Sequence, residues 1–144
     1  MKKCYLDSNF LLYWKNELSP QYQQTISMLE TLINNGVELY ISPLVLDEFY
    51  HSFLYRIRIN RMKKPYDLLT EATKDILTLP RLSIVNPPSV PTDHLTVIAN
   101  MEMYYLHARD AYHLLIMQSN DIDGFATFDT DFARVFTAKL LIKA

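Results

Sequence analysis

Short continuous apolar runs alternate along this chain with longer stretches in which apolar residues recur every three to four positions. That alternation is the mark of strands interleaved with helices. Lys2 to Leu6 reads as a short buried strand ending at Asp7; Ser8-Asn9 reads as a polar turn that opens a helical run from Phe10 to Trp14. Ser19-Pro20 predicts an N-cap followed by proline at the first helical position, with Ile26, Leu29, Leu32 and Ile33 keeping helical spacing until Asn35-Gly36 stops the helix. Val37 to Ile41 is a second strand, and Ser42-Pro43 repeats the start signal for a helix carrying Leu44, Leu46, Phe49, Phe53 and Ile57. Lys64-Pro65 starts another helix that ends near Pro80, before a third strand at Leu82 to Val85.

Asn86 to Pro91 holds three prolines in six residues, so it is a loop that cannot pair as a central strand. A helix from about Thr92 to Tyr105 follows, then one from near Ala108 that places Asp110, Leu114 and Met117 on related turns. Gly124 breaks the chain before a strand from Phe125 to Phe128, which Asp129 closes, and Leu140 to Ile142 is read as a fifth, short edge strand. Strands alternating with helices predict class α/β, a parallel sheet of four to five strands with helices on both faces. In open sheets of this kind the functional crevice lies beyond the carboxyl ends of the strands.

With 144 residues, 49% of them apolar and 21% charged, the chain is expected to form a single domain, residues 1–144, with a core of its own. The one cysteine, Cys4, sits in an apolar run and leaves no disulfide framework or thiolate metal site, which suits a reducing cytoplasm. No run of 18 apolar residues occurs, so neither a spanning helix nor a secretory signal is expected. The net charge of −2 excludes a protein that coats nucleic acid by global charge, yet its distribution is uneven. Arg56, Arg58, Arg61, Lys63 and Lys64 lie in nine residues without an acid, leaving nine basic against sixteen acidic residues, a net −7, elsewhere. This segment is read either as a solvated helix end or as a phosphate-contacting surface.

Four acids fall where the crevice is expected: Asp7 after the first strand, Glu48 in the second turn of the helix after the second, Asp110 at the start of a late helix and Asp129 after the fourth strand. Two unit charges 4 Å apart repel by about 4 kcal/mol at an effective dielectric of 20, so such a group needs a cation. An all-oxygen, carboxylate-rich set selects Mg²⁺ or Mn²⁺, and the chemistry implied is metal-assisted phosphodiester hydrolysis. Asp47 would point about 100° away from Glu48 on a helix and is read as solvated. Asp131 is expected either to N-cap the last helix or to join the metal site as a further acid. Thr127 shares its side of the strand with Asp129 and is placed to hold a carboxylate through its hydroxyl, while Ser8 and Asn9 are turn formers or donors behind the acids. A lone helical histidine such as His113 is more often packed or exposed than a ligand. Met101, Met103, Tyr104 and Tyr105 are read as packing residues, with an association face as the alternative.

The sequence resembles PIN-domain nucleases, particularly single-domain VapC-type toxins, across nearly its whole length. The resemblance rests on YLDSNFLL around Asp7, SPLVLDEF around Glu48, RDAYHLL around Asp110 and FATFDTDF around Asp129 and Asp131. It implies a three-layer α/β/α sandwich around a parallel sheet, Mg²⁺- or Mn²⁺-dependent endoribonuclease activity on RNA, a homodimer, and a small antitoxin partner that blocks the site. Carried over, Asp7, Asp110 and Asp129 are metal ligands, Glu48 is the acid of the second motif, and Asp131 the optional fifth.

Competing readings are fewer. A haloacid-dehalogenase-like phosphatase would need a second aspartate at position 9, which is Asn9, and a receiver domain would need one where Asn86 and Pro87 stand. The remaining alternative is a catalytically silent RNA-binding or scaffold protein whose acids hold a structural cation.

Overall fold

In the computed structural model, which describes residues 1–144, five strands form one sheet: β1 (Lys3–Leu6), β2 (Glu38–Ile41), β3 (Leu82–Ile84), β4 (Gly124–Ala126) and β5 (Ile142–Lys143). Their order is β3-β2-β1-β4-β5, and every neighbouring pair is parallel. The helices are α1 (Ser8–Trp14), α2 (Tyr22–Asn34), α3 (Pro43–Ile59), α4 (Pro65–Leu77), α5 (Asp93–Tyr104), α6 (Ala108–Ser119) and α7 (Ala133–Thr137). The expected α/β/α architecture is the observed one. From β1 the chain builds the sheet outward through β2 and β3, and only afterwards adds β4 and β5 on the other side. The order of strands therefore reverses between β1 and β4, which puts a crevice at their carboxyl ends.

β1 lies at the centre, with Tyr5 opposite Tyr40 on one side and Phe125 on the other, and Cys4, Tyr5 and Leu6 are fully buried, as a strand covered on both faces requires. The core is one continuous cluster in which Phe125 meets the Phe132 ring edge-on at 4.8 Å and the Tyr5 ring at 5.9 Å. Helix α3 buries Val45, Phe49, Phe53 and Ile57, one row at four-residue spacing, with Leu44 and Leu46 half-buried beside it. Ser42 caps it as the sequence predicts, its hydroxyl accepting the Val45 N–H at 3.3 Å ahead of Pro43.

Several boundaries differ from expectation, each for a local reason. Ser8 and Asn9 are the first residues of α1 rather than a turn before it, because Asp7 is extended and its carboxylate accepts the Ser8 N–H at 2.7 Å. Helix α2 starts at Tyr22 rather than at Pro20, since Ser19 accepts the Gln21 N–H through its hydroxyl and the Tyr22 N–H through its carbonyl, closing a turn that absorbs the proline. Strand β4 begins at Gly124 and ends at Ala126, where its partner β1 runs out; a Cβ at Gly124 would meet the Met1 sulfur at 2.5 Å. β5 is shifted to Ile142–Lys143, since the chain first closes α7 through Leu140 N–H to Val135 C=O. Asp131 does not cap α7: that helix starts two residues later, and Phe132 at its N-cap makes no side-chain bond.

Candidate functional site

At the carboxyl ends of β1 and β4 opens a cleft of about 450 Å³ lined by eleven residues, none hydrophobic. It brings together Asp7, Glu48, Asp110 and Asp129, with Ser8 and Asn9 among its walls.

Asp7 is the deepest of the acids, 7% exposed. Its Oδ1 accepts the Ser8 N–H, and its Oδ2 accepts the hydroxyl proton of Thr127. Thr127 has left β4, and its oxygen in turn accepts the Asp129 N–H at 2.9 Å and an amide proton of Asn9 at 3.4 Å. Asn9 also accepts the Phe128 N–H at 3.2 Å. These bonds fold the segment after β4 back over the start of α1 and fix Asp129 relative to Asp7. Burial raises the Asp7 pKa above the ordinary carboxylate value, against the bonds from Thr127 and Ser8 that favour the charged form.

Glu48 projects from α3 and is tied down on both oxygens. Oε2 lies 3.1 Å from His113 Nε2, and Oε1 lies 3.4 Å from Arg109 Nε. Burial disfavours its charge, but the bond to His113, the Ser8 hydroxyl and Arg109 outweigh burial and hold its pKa below the usual value. His113 is buried, and its Nδ1 is 3.0 Å from the Tyr5 hydroxyl, which bonds Ser42. The ligand atoms of Asp7, Glu48 and His113 lie within 4.8 Å of one another. Both ring nitrogens of His113 are already engaged, so the histidine supports an acid rather than offering a free donor.

Asp110, in the first turn of α6, has its pKa raised by burial and then by the neighbouring charge of Asp129, with Asp131 and Asp7 adding to it. Asp129 is folded back on its own backbone, its Oδ1 accepting the Asp131 N–H at 2.8 Å. The carboxylate of Asp131 stands outside the cleft lining, half exposed, with Oδ2 3.6 Å from His107 Nδ1. His107, Asp110 and Asp131 form a second close group at the rim. Asp47 is exposed at the mouth of the cleft, consistent with its reading as solvated. The only Lys or Arg among the lining residues is Arg109. This surplus of carboxylate oxygens, with no thiolate, fits a hard divalent cation.

The basic segment is not uniform. Arg56 turns inward: its guanidinium donates to the Lys15 carbonyl at 3.2 Å, closing the end of α1, and lies 4.8 Å over the Phe53 ring. Arg58, Arg61, Lys63 and Lys64 are exposed. Arg58 is ten residues beyond Glu48 on α3, about 15 Å along the axis. Of the aromatic and methionine group, Met101 and Tyr104 pack on the core while Met103 and Tyr105 are exposed, Tyr105 beneath the Arg134 guanidinium at 3.6 Å.

Sequence reasoning missed Tyr5, Ser42 and Arg109 as parts of the site and undervalued His113. Two signals were available. Tyr5 shares a strand face with Asp7 at a spacing of two, and His113 lies one helical turn after Asp110.

The profile of the family described as the PIN domain matches residues 4–136. The chain belongs to the PIN-domain family. This PIN domain is 24% identical over 127 residues to the VapC ribonuclease Mb1869c of Mycobacterium bovis, covering 88% of this chain and 90% of that protein. Its structure is similar to that of VapBC2 from Rickettsia felis bound to a promoter DNA fragment, with a TM-score of 0.66, 20% identity and coverage of 99% and 97% of the two chains. It is also similar to VapC20 of Mycobacterium tuberculosis, described as a toxin that cleaves the sarcin-ricin loop, with a TM-score of 0.64, 16% identity and coverage of 92% and 94%. The PIN domain of this chain shares their fold, and no helix in it is long and apolar enough to cross a membrane.

Proposed function

We propose that residues 1–144 act as a single-domain, Mg²⁺- or Mn²⁺-dependent endoribonuclease, the toxin of a toxin–antitoxin pair, working in the cytoplasm as a homodimer. The observation that carries this reading is the convergence of Asp7, Glu48, Asp110 and Asp129 on one apolar-free cleft at the switch point between β1 and β4. The names of the related VapC ribonuclease and of the sarcin-ricin-loop toxin support RNA as substrate, and the VapBC2 complex supports an antitoxin partner. Exposed Leu95 and Ile98, one turn apart on α5, offer an apolar face for the second copy.

Asp7, Asp110 and Asp129 are the residues to hold the metal, with Glu48 beside them and Asp131 as a rim acid. A divalent cation bound there lowers the pKa of a coordinated water and neutralises charge on a phosphodiester oxygen. The chain's own contribution is to keep each carboxylate in place: Thr127 and Ser8 orient Asp7, the Asp131 N–H orients Asp129, and His113 and Arg109 orient Glu48. Arg109, 63% exposed, is free to exchange its ion pair for an incoming phosphate.

Incubation of purified protein with single-stranded RNA tests the reading. Cleavage is expected with Mg²⁺ or Mn²⁺, none with chelator, and none for Asp7→Asn. Uncut RNA with verified metal-replete protein would favour the silent scaffold instead.

A further inference from the structure

Ser42, Tyr5, His113 and Glu48 form a hydrogen-bonded line from the buried sheet to the cleft, and its direction follows from counting protons. Ser42, Tyr5 and His113 are buried at 0%, 0% and 2% exposure. The Ser42 oxygen accepts the Val45 N–H, and the one acceptor within reach of its own proton is the Tyr5 oxygen. The Tyr5 proton then goes to His113 Nδ1, so the neutral ring carries its proton on Nε2 and gives it to the Glu48 carboxylate, which can only accept. The reverse sense would strand the buried Ser42 proton and, on a neutral ring, set the Nε2 lone pair against a carboxylate, both costly in a dry interior.

The line also joins the elements that carry three of the four acids. Tyr5 lies two residues before Asp7 on β1, Ser42 caps the helix that bears Glu48, and His113 stands one turn after Asp110 on α6. We infer that His113 is a positioning residue for Glu48, that the Tyr5 hydroxyl fixes its tautomer, and that the line sets the spacing of β1, α3 and α6 at the cleft. This inference rests on the metal-dependent nuclease reading above.

Ring-nitrogen NMR on the wild-type protein is expected to show the His113 proton on Nε2 with Nδ1 accepting from Tyr5, and Tyr5→Phe is expected to lose that preference. His113→Ala is expected to lower kcat on RNA and weaken Mn²⁺ binding, measured by calorimetry, each by about ten- to a hundredfold, as outer partners of metal sites do. KM for RNA should change little. His113→Gln, whose amide nitrogen reaches the Nε2 position, should recover part of both losses. His113→Ala combined with Glu48→Gln should be no worse than the more damaging single variant. A wild-type ring protonated on Nδ1, or His113→Ala with unchanged kcat and Mn²⁺ affinity while Asp7→Asn is inactive, overturns the inference alone. Uncut RNA with metal-replete wild-type protein overturns the nuclease reading and this inference together, and full activity and Mn²⁺ binding in Asp7→Asn overturns the placement of the site on which this inference rests.

Discussion

Thr127 donates its hydroxyl proton to Asp7 Oδ2 across 120 residues of chain, while its oxygen accepts the Asp129 N–H. One buried hydroxyl therefore couples the acid after β1 to the acid after β4. Thr127→Val keeps the shape and removes the oxygen as donor and acceptor, leaving the Asp129 N–H, an Asn9 amide proton and one lone pair of Asp7 without this partner at a cost of roughly 1–3 kcal/mol. We expect lower thermal stability, weaker Mn²⁺ binding and slower RNA cleavage, with Thr127→Ser close to wild type. Calorimetry and cleavage rates on the three proteins check this; a Val variant that binds Mn²⁺ and cuts as the wild type does would remove Thr127 from the site.

Asp110 contributes one part of the pH dependence of the metal-free protein, in the same sense as Asp7 and opposite to Glu48 and Asp123. Its pKa is raised in the fold, first by burial and then by Asp129, so the native state holds its proton more tightly than the unfolded chain does. Stability therefore falls as pH rises from the unfolded value of about 3.9 through the raised native value, and the penalty is complete above it. Asp110→Asn should raise the metal-free Tm by a few degrees near neutral pH, with the gain vanishing below about pH 4. Added Mn²⁺ should reverse the ranking, because the wild type gains more from binding. Melting curves at several pH values with and without Mn²⁺ decide it: a variant less stable than wild type at neutral pH without metal would contradict a crowded acidic cleft.

What the sequence made legible was what local chemistry decides. Ser42-Pro43 announces α3 because capping and proline preference act within one turn, and the meeting of the four acids in one cleft was legible because Asp7 and Asp129 follow strands, Asp110 opens a helix and Glu48 lies in the second turn of the helix after β2, all at the sheet's carboxyl edge. The end of β4 was misjudged because pairing length is set by β1, more than a hundred residues away. The bonds of His113 to Tyr5 and Glu48 span 108 and 65 residues, and the inward turn of Arg56 depends on where α1 ends, 41 residues earlier. Such contacts follow from how helices are rotated against the sheet, which spacing within one element does not encode. Asp131 illustrates the same limit: its own turn accounts for its backbone N–H, and its carboxylate faces His107 from another element.

The two kinds of cation in the basic segment should separate in experiment. Replacing Arg58, Arg61, Lys63 and Lys64 with Gln is expected to weaken RNA binding regardless of sequence and to flatten its salt dependence by about 0.7 per lost single-strand phosphate contact. Single-turnover cleavage at saturating RNA should persist. Arg56→Gln should instead cost about 1 to 2 kcal/mol of stability, through the lost bond to the Lys15 carbonyl and the contact with Phe53, with the salt slope unchanged. An unaltered slope in the fourfold variant would return these residues to a solvated helix end.

Restraint by another chain is the expectation that goes with an open acidic cleft. Arg109 is the only Lys or Arg lining it, and is itself mostly exposed, so no segment of residues 1–144 delivers a second cation to shield the acids. A small partner that inserts a basic side chain between Glu48 and Asp129 would compensate the repulsion there and exclude the metal, since the same carboxylate oxygens cannot serve both. Expression of the wild type alone is expected to arrest bacterial growth, and expression of Asp7→Asn is not. Co-expression with the antitoxin, taken as the small open reading frame beside the gene, should restore growth and yield a stable complex in which Mn²⁺ binding is lost. Growth curves, co-purification and calorimetry on the complex measure each step. Harmless high expression of soluble, metal-replete wild type would count against a toxin, and a complex that still binds Mn²⁺ with full affinity would place the partner elsewhere on the surface.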